Sequence, residues 1–297
     1  MEYPNIRIFE SMLKGMAPYM SKAVEKARTF SPTWEREFEE TLSKVFAGDE
    51  ARMRGAIKGY VEFALDALRL HKRFEKELKY IHKTYAEVGE GVYHNLEYMF
   101  NLYLPGILIS QYLWPHHYEQ LQFFTREFGP LVRASADKSF ADVGVGTGFY
   151  SRQILSMDRE SRGTGFDISA HSLNYAAQQI RAFQFQDRWT PRRQNILTDP
   201  PGGKFSFVVS VEVLEHLEDP VAFIRGLKAI LAPGGYAFIT AAITAPNADH
   251  IYLYADCESV EREIKQGGFE IVRRHLAIAY PPKANEPVPQ SGIFICR

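Results

Sequence analysis

The chain has only two cysteines in 297 residues, Cys257 and Cys296. Two cannot build a disulfide framework, and no pair has zinc-ligand spacing, so disulfide-stapled and zinc-scaffold classes are excluded. No apolar run reaches the roughly 20 residues that a membrane-spanning helix needs. The longest candidate, near 102–113, is broken by Pro105, Gly106, Ser110 and Gln111. Net charge is nearly absent: 35 Lys and Arg against 36 Asp and Glu leave −1. A protein built mainly to hold nucleic acid carries a basic surplus. Neither a nucleic-acid nor a membrane partner is therefore expected. The first ten residues carry Glu2, Arg7 and Glu10, with no apolar stretch behind a basic start. That is unlike a secretory leader, and a cytoplasmic protein is expected.

What is present is the composition of a globular chain: 45% hydrophobic, 24% charged, with a mean hydropathy of −0.26. Residues 1–135 read as helical. Ser31 and Pro32 predict the cap and first turn of a helix, and Glu35 suits its positive end. Trp34, Phe38, Leu42 and Val45 then recur at helical spacing, and Ile57, Tyr60, Val61, Ala64, Leu65 and Leu68 form a second stripe. The basic run from Lys72 to Lys83 is interleaved with Glu75 and Glu77, as a solvated face is.

Residues 136–297 change character. Strands are predicted at Phe140–Val143, Gly163–Asp167, Phe205–Val211 and Tyr236–Ala242. Helices are predicted up to Met157, over Ala170–Ala182 with Ser169 as cap, and over Pro220–Leu231. Such alternation implies a parallel sheet covered on both faces. Phe269–Ala279 and Gly292–Cys296, joined by a proline-rich loop, predict an antiparallel hairpin at the sheet's end.

The most informative segment is Asp142-Val-Gly144-Val-Gly146-Thr147-Gly148, between a strand and a helix. Glycines there let the chain turn sharply and let a ligand touch backbone N–H groups at a helix N-terminus. Phe149 stands where a dinucleotide fingerprint wants its last glycine. Asp167 closes the next strand, 19 residues after Gly148, where it can accept from both hydroxyls of a ribose.

These residues resemble the class I S-adenosylmethionine-dependent methyltransferases. The resemblance implies a Rossmann-like α/β fold, a seven-stranded mostly parallel sheet of order 3-2-1-4-5-7-6, here with an all-helical N-terminal cap. It implies S-adenosyl-L-methionine as cofactor and S-adenosyl-L-homocysteine as product. Asp142, Gly144, Gly146, Thr147 and Gly148 match the motif that holds the cofactor's methionine part. Asp167 matches the ribose-binding acid, with Ile168 beside the adenine. Asn195 and Ile196 lie where the family often has an Asp and an apolar residue against the adenine edge. Val211-Glu212 through Pro220, and then Leu231-Ala-Pro-Gly-Gly235, resemble the small-molecule branch related to quinone-biosynthesis methyltransferases. The resemblance covers about residues 139–269.

Methyl transfer from a sulfonium depends chiefly on positioning, and a base matters only where the acceptor must lose a proton. His250 and His216 are the histidines of this half expected near strand ends, and both are candidate bases. His171 and His275 read as surface or edge residues. Tyr252 and Tyr254, near His250, are candidate substrate contacts. Glu212, Glu215 and His216 have the E-x-x-E-H spacing, which resembles that of magnesium-dependent RNA-end methyltransferases. It also occurs where the acids serve packing, and no metal is expected.

Between Tyr93 and Phe128 stand ten aromatics in 36 residues, against 13% in the whole chain. Most are expected in the core, but tyrosine and histidine carry polar handles. The segment is expected to lid the cofactor and line an acceptor pocket, with Tyr93 and His117 as further catalytic candidates. His94, Tyr98 and Tyr112 are candidate substrate contacts. The expected function is methyl transfer to an oxygen or nitrogen of a small molecule, by a monomer or homodimer. Competing readings are methylation of a peptide or RNA, and a cofactor-binding protein that transfers nothing.

Overall fold

The computed structural model describes residues 3–93, 95–283 and 286–297, with nothing described of the Glu90 side chain. Seven strands form one sheet: β1 (Ser139–Val143), β2 (Arg162–Asp167), β3 (Trp189–Arg193), β4 (Phe205–Ser210), β5 (Leu231–Ile243), β6 (Ile271–Ile278) and β7 (Gln290–Cys296). Their order is β3-β2-β1-β4-β5-β7-β6. The first five run parallel, and β7 pairs antiparallel with both β5 and β6. Helices Phe149–Met157, Ala170–Ala182, Pro220–Ile230 and Cys257–Gln266 connect the strands. The sheet order is the one the family resemblance implied.

The helix Ala170–Ala182 begins as expected, its Ser169 side chain accepting from Ser172 N. The helix expected from Ser31 starts later, at Trp34, with Thr33 as cap. Ser31 instead makes the lead-in turn: its hydroxyl accepts from Thr33 N and its carbonyl from Trp34 N. Strand β3 has no counterpart among the expected strands. Its Thr190-Pro-Arg-Arg193 stretch is exposed, and proline is tolerated because β3 is an edge strand. Strand β5 starts earlier than expected because Leu231 already pairs with Phe205 before an irregularity in the ladder.

The cap centres on the 28-residue helix Glu50–Glu77, started by Asp49 accepting from Arg52 N. Ile57, Tyr60 and Val61 are buried as the stripe predicts, but Leu68 is 51% exposed. The cap shares one apolar core with the sheet. Phe124 meets Phe238 edge-on at 4.8 Å and Phe128 meets Phe207 at 5.7 Å. No helix among the described residues is long and apolar enough to cross a membrane.

Candidate functional site

The glycine loop is held in a backbone form that side chains resist. Gly144, Gly146 and Gly148 have φ of +73°, +51° and +75°. A Cβ on Gly144 would lie 2.5 Å from Val213 Cγ2, and one on Gly148 2.8 Å from Ala176 Cβ. At Gly146 the nearest atom would be 3.9 Å away, so the loop's backbone stands open there. Asp142, at the end of β1, accepts from the Ser151 N–H and hydroxyl at 3.0 and 2.7 Å. Asp167, at the end of β2, accepts from Gly146 N at 3.1 Å and Ser169 N at 2.8 Å. Each of its oxygens keeps a lone pair for a further donor.

These groups open into a cavity of ≈ 980 Å³. That is near the upper end of ligand pockets, about 300–1,000 Å³, and leaves room for a second molecule beside a nucleoside-sized one. Asp142, Gly144, Gly146, Thr147, Asp167 and Ile168 line it, as do Asn195, Ile196, Val211 and Glu212. All stand at or just beyond the carboxyl ends of strands, where ligands bind in open α/β sheets. Across from them the cap contributes Phe63, Tyr85, Tyr93, Tyr103, Trp114 and His117.

A methyltransferase-domain family model matches residues 141–237, the stretch that carries this loop and both acids. That stretch is similar to a methyltransferase domain. The chain is 32% identical over 139 residues to the ubiquinone biosynthesis O-methyltransferase of Psychrobacter cryohalolentis, covering 44% of this chain and 51% of that one. The corresponding protein of Acinetobacter baylyi is 28% identical over 138 residues, covering 44% and 55%. The chain thus spans about half the length of the curated relatives it matches. Among solved structures, N-methyltransferase NodS from Bradyrhizobium japonicum, in complex with S-adenosyl-L-homocysteine, matches with a TM-score of 0.52 at 20% identity, over 69% of this chain and 97% of that one. The mitomycin 7-O-methyltransferase MmcR matches at 0.52 and 12% identity, over 82% and 70%. At such identities the likeness is one of fold.

Within the matched stretch, Asn195 turns its side-chain oxygen to Leu197 N at 3.0 Å and so shapes its own loop. Gly148 lies behind the loop against Ala176 rather than on the cavity wall. Glu212 has φ of +53°, unusual for a side-chain residue. Its carboxylate accepts from the Thr240 hydroxyl at 3.0 Å. The E-x-x-E-H spacing brings Glu215, His216 and His250 to within 4.8 Å of one another, while Glu212 faces Thr240.

His216, His250, His117 and Tyr93 all line the cavity. Burial, with the neighbouring His216, pushes His250 down to about 3, and burial alone pushes His117 down to about 4. Both are weak bases at neutral pH. Burial and Asp249 push the Tyr93 phenol well above its ordinary value. His216 is different in geometry. Its Nδ1 faces three acceptors, the Tyr93 hydroxyl at 3.1 Å, Asp249 O at 3.1 Å and Asp249 Oδ2 at 3.3 Å. The proton therefore belongs on Nδ1, which leaves Nε2 with a free lone pair. Nε2 is 3.8 Å from Glu215 Oε1, too far for a hydrogen bond.

Four expected substrate contacts need correction or lie elsewhere. Tyr112 is buried in the cap, its hydroxyl bonded to Thr41 at 2.6 Å and taking a bond from Arg152 at 3.0 Å. Tyr252 and Tyr254 both donate to Glu263, at 2.6 Å each, and brace the helix Cys257–Gln266 instead of facing the cavity. Tyr98 stacks behind Tyr103 at 6.1 Å. His94 lies outside the described residues. Sequence reasoning missed Asp249, Tyr85 and Tyr103. Asp249 neighbours a singled-out histidine, and Tyr103 belongs to the aromatic run, but nothing local marks either one.

The site's buried acids and imidazoles pull stability in opposite directions. Burial pushes Asp142 and Glu212 up to about 7 and Asp167 up to about 6, against 3.8 or 4.5 as ordinary values. Their contribution is complete below those ordinary values and is lost as pH rises through about 6–7. His117 and His250 are depressed from 6.5 to about 4 and 3, so their contribution is lost as pH falls below 6.5. Three acids oppose two imidazoles, so the melting temperature of the ligand-free protein is expected to fall gently as pH rises from about 4.5 to 7. A melting temperature that rises steadily across that range contradicts these assignments.

Proposed function

We propose that the protein transfers a methyl group from S-adenosyl-L-methionine to an oxygen or nitrogen of a small-molecule acceptor, releasing S-adenosyl-L-homocysteine. The observation that carries this is the single cavity joining the glycine loop and Asp167 to a chamber walled by the cap. The residues present suit the cofactor: Gly146 leaves backbone open at the wall, and Asp167 keeps acceptor capacity for two ribose hydroxyls. Ile168 and Ile196 offer apolar surface to a base, and Asp142 fixes the loop by holding the helix behind it. Bound there, the cofactor supplies an electrophilic methyl on a sulfonium, which needs no metal to activate it.

The chain's own contribution is to hold the acceptor's lone pair in line and exclude water. A hydroxyl acceptor must also lose its proton, and we assign that step to His216 Nε2, a reading supported by Asp249 facing Nδ1. The O-methyltransferases among its relatives support an oxygen acceptor, and the N-methyltransferase NodS supports nitrogen. The enclosing aromatic wall supports a small molecule over a polymer.

The test is transfer of labelled methyl from S-adenosylmethionine into source-cell extract, split into small-molecule, protein and nucleic-acid fractions. Label in the small-molecule fraction is expected. Label in protein or nucleic acid overturns the small-molecule assignment, and cofactor binding with no label anywhere overturns the transfer. Repeating the reaction with a chelator checks the Glu215, His216 and His250 cluster, and unchanged turnover is expected.

A further inference from the structure

Asp249 sits in the loop between β5 and the helix Cys257–Gln266 and is 0% exposed. A carboxylate so deep normally keeps its proton. Burial does push Asp249 up, but the facing His216 ring and the hydroxyls of Tyr103 and Tyr93 outweigh it and hold it below the ordinary value. The protein thus keeps a charge at this point, and its arrangement shows what the charge holds.

Two of its donors come from the cap. Tyr93 donates to Asp249 Oδ2 at 3.0 Å and Tyr103 to the same oxygen at 2.5 Å, across 156 and 146 residues of chain. Both tyrosines line the cavity, whereas Asp249 stands behind its wall. Tyr85 stacks on Tyr93 with centroids 5.4 Å apart and planes 12° from parallel. The Tyr85 N–H donates to Glu218 at 3.0 Å. Tyr85 and Tyr93 both lie near enough to Asp167 to feel its charge. This edge of the cap therefore covers the ribose-binding acid.

The cap is also attached by hydrogen bonds from Arg152 to Thr41 and Tyr112 and from Gln120 to Tyr150, and by a contact of a different kind. Phe124 and Phe128 are buried against Phe238 and Phe207, with no polar group to exchange for water. Breaking apolar packing exposes surface at a cost proportional to area. Hydrogen bonds can be traded for bonds to water at a small net cost. An opening would therefore begin at the tyrosine edge, with the phenylalanine face staying closed.

We propose that Asp249 is a positioning residue, a latch that holds the Tyr85, Tyr93 and Tyr103 edge of the cap over the nucleoside end of the cofactor site and sets the rate of cofactor exchange. The proposal rests on the reading that the cavity binds S-adenosylmethionine, and a product-binding experiment separates the two. It needs no acceptor.

The experiment is stopped-flow binding of S-adenosylhomocysteine, followed by tryptophan fluorescence, with the full chain. Asp249→Asn is expected to raise the dissociation rate constant about tenfold and to raise the association rate constant as well. Affinity then falls less than dissociation rises. A tyrosine pair changed to phenylalanine, Tyr93→Phe with Tyr103→Phe, leaves the carboxylate and is expected to show the same signature. It also serves if Asp249→Asn fails to fold. A purely structural defect lowers affinity without speeding entry. An unchanged association rate in a folded variant, whatever happens to dissociation, overturns the latch. Failure of the unmodified protein to bind S-adenosylhomocysteine overturns the cofactor reading, and the latch with it.

Discussion

Replacing Asp167 with alanine is expected to weaken S-adenosylhomocysteine binding about 100-fold. Hydrogen bonds to a charged group contribute about 1.5–3 kcal/mol each, and two ribose hydroxyls lose their acceptor together. At about 1.4 kcal/mol per tenfold, the lower end of that range already gives the expected change. The same substitution frees Gly146 N and Ser169 N, so the glycine loop loses one of its ties to β2 and keeps those of Gly144 N and Val145 N to Phe166 O. Asp167→Asn keeps one acceptor oxygen and is expected to lose about tenfold, for the same reason. Calorimetry checks both variants, with a melting curve to confirm folding. Affinity within about threefold of the unmodified protein would remove Asp167 from the ribose site.

The second large effect is expected at His216. With the acceptor identified by labelling, His216→Ala is expected to lower kcat about 100-fold, the lower end of what a positioned base supplies. Cofactor affinity is expected to stay within about threefold, because Nδ1 is satisfied by Tyr93 and Asp249 rather than by a ligand. His250→Ala is expected to cost much less, since burial keeps that ring a weak base. Steady-state kinetics on the two variants decide between them. A larger loss at His250 than at His216 reverses the assignment, and equal activity in all three proteins leaves the transfer to positioning alone.

The cofactor half of the site was legible because its determinants are local. Asp142 and the glycines belong to one turn, and Asp167 ends the next strand, so spacing along the chain nearly equals arrangement in space. The chamber was not. Tyr103 and Asp249 are 146 residues apart, and neither sequence neighbourhood announces the other. Tyr252 and Tyr254 were drawn to the cavity by their proximity to His250, but nearness along an irregular loop does not fix where a side chain points. Here both hydroxyls converge on Glu263. Tyr112 shows the opposite case, a polar handle satisfied away from the cavity by Thr41 of the cap and Arg152 of the helix Phe149–Met157. Strand β3 escaped because its exposed Pro-Arg-Arg sequence carries none of the apolar pattern that marks a central strand.

The insertion of β7 between β5 and β6 also bears on how the chain reaches this structure. Strand β6 is made before β7 but has no partner in the sheet except β7. During synthesis β6 must wait, and so must the edge of β5 that β7 will cover. The cap is made before the sheet, yet Phe124 and Phe128 find their ring partners only after Phe207 and Phe238 emerge. Folding is therefore expected to be late and dominated by distant contacts, which slows it and leaves apolar surface open on the ribosome. Expression at low temperature or with added chaperone is the practical consequence.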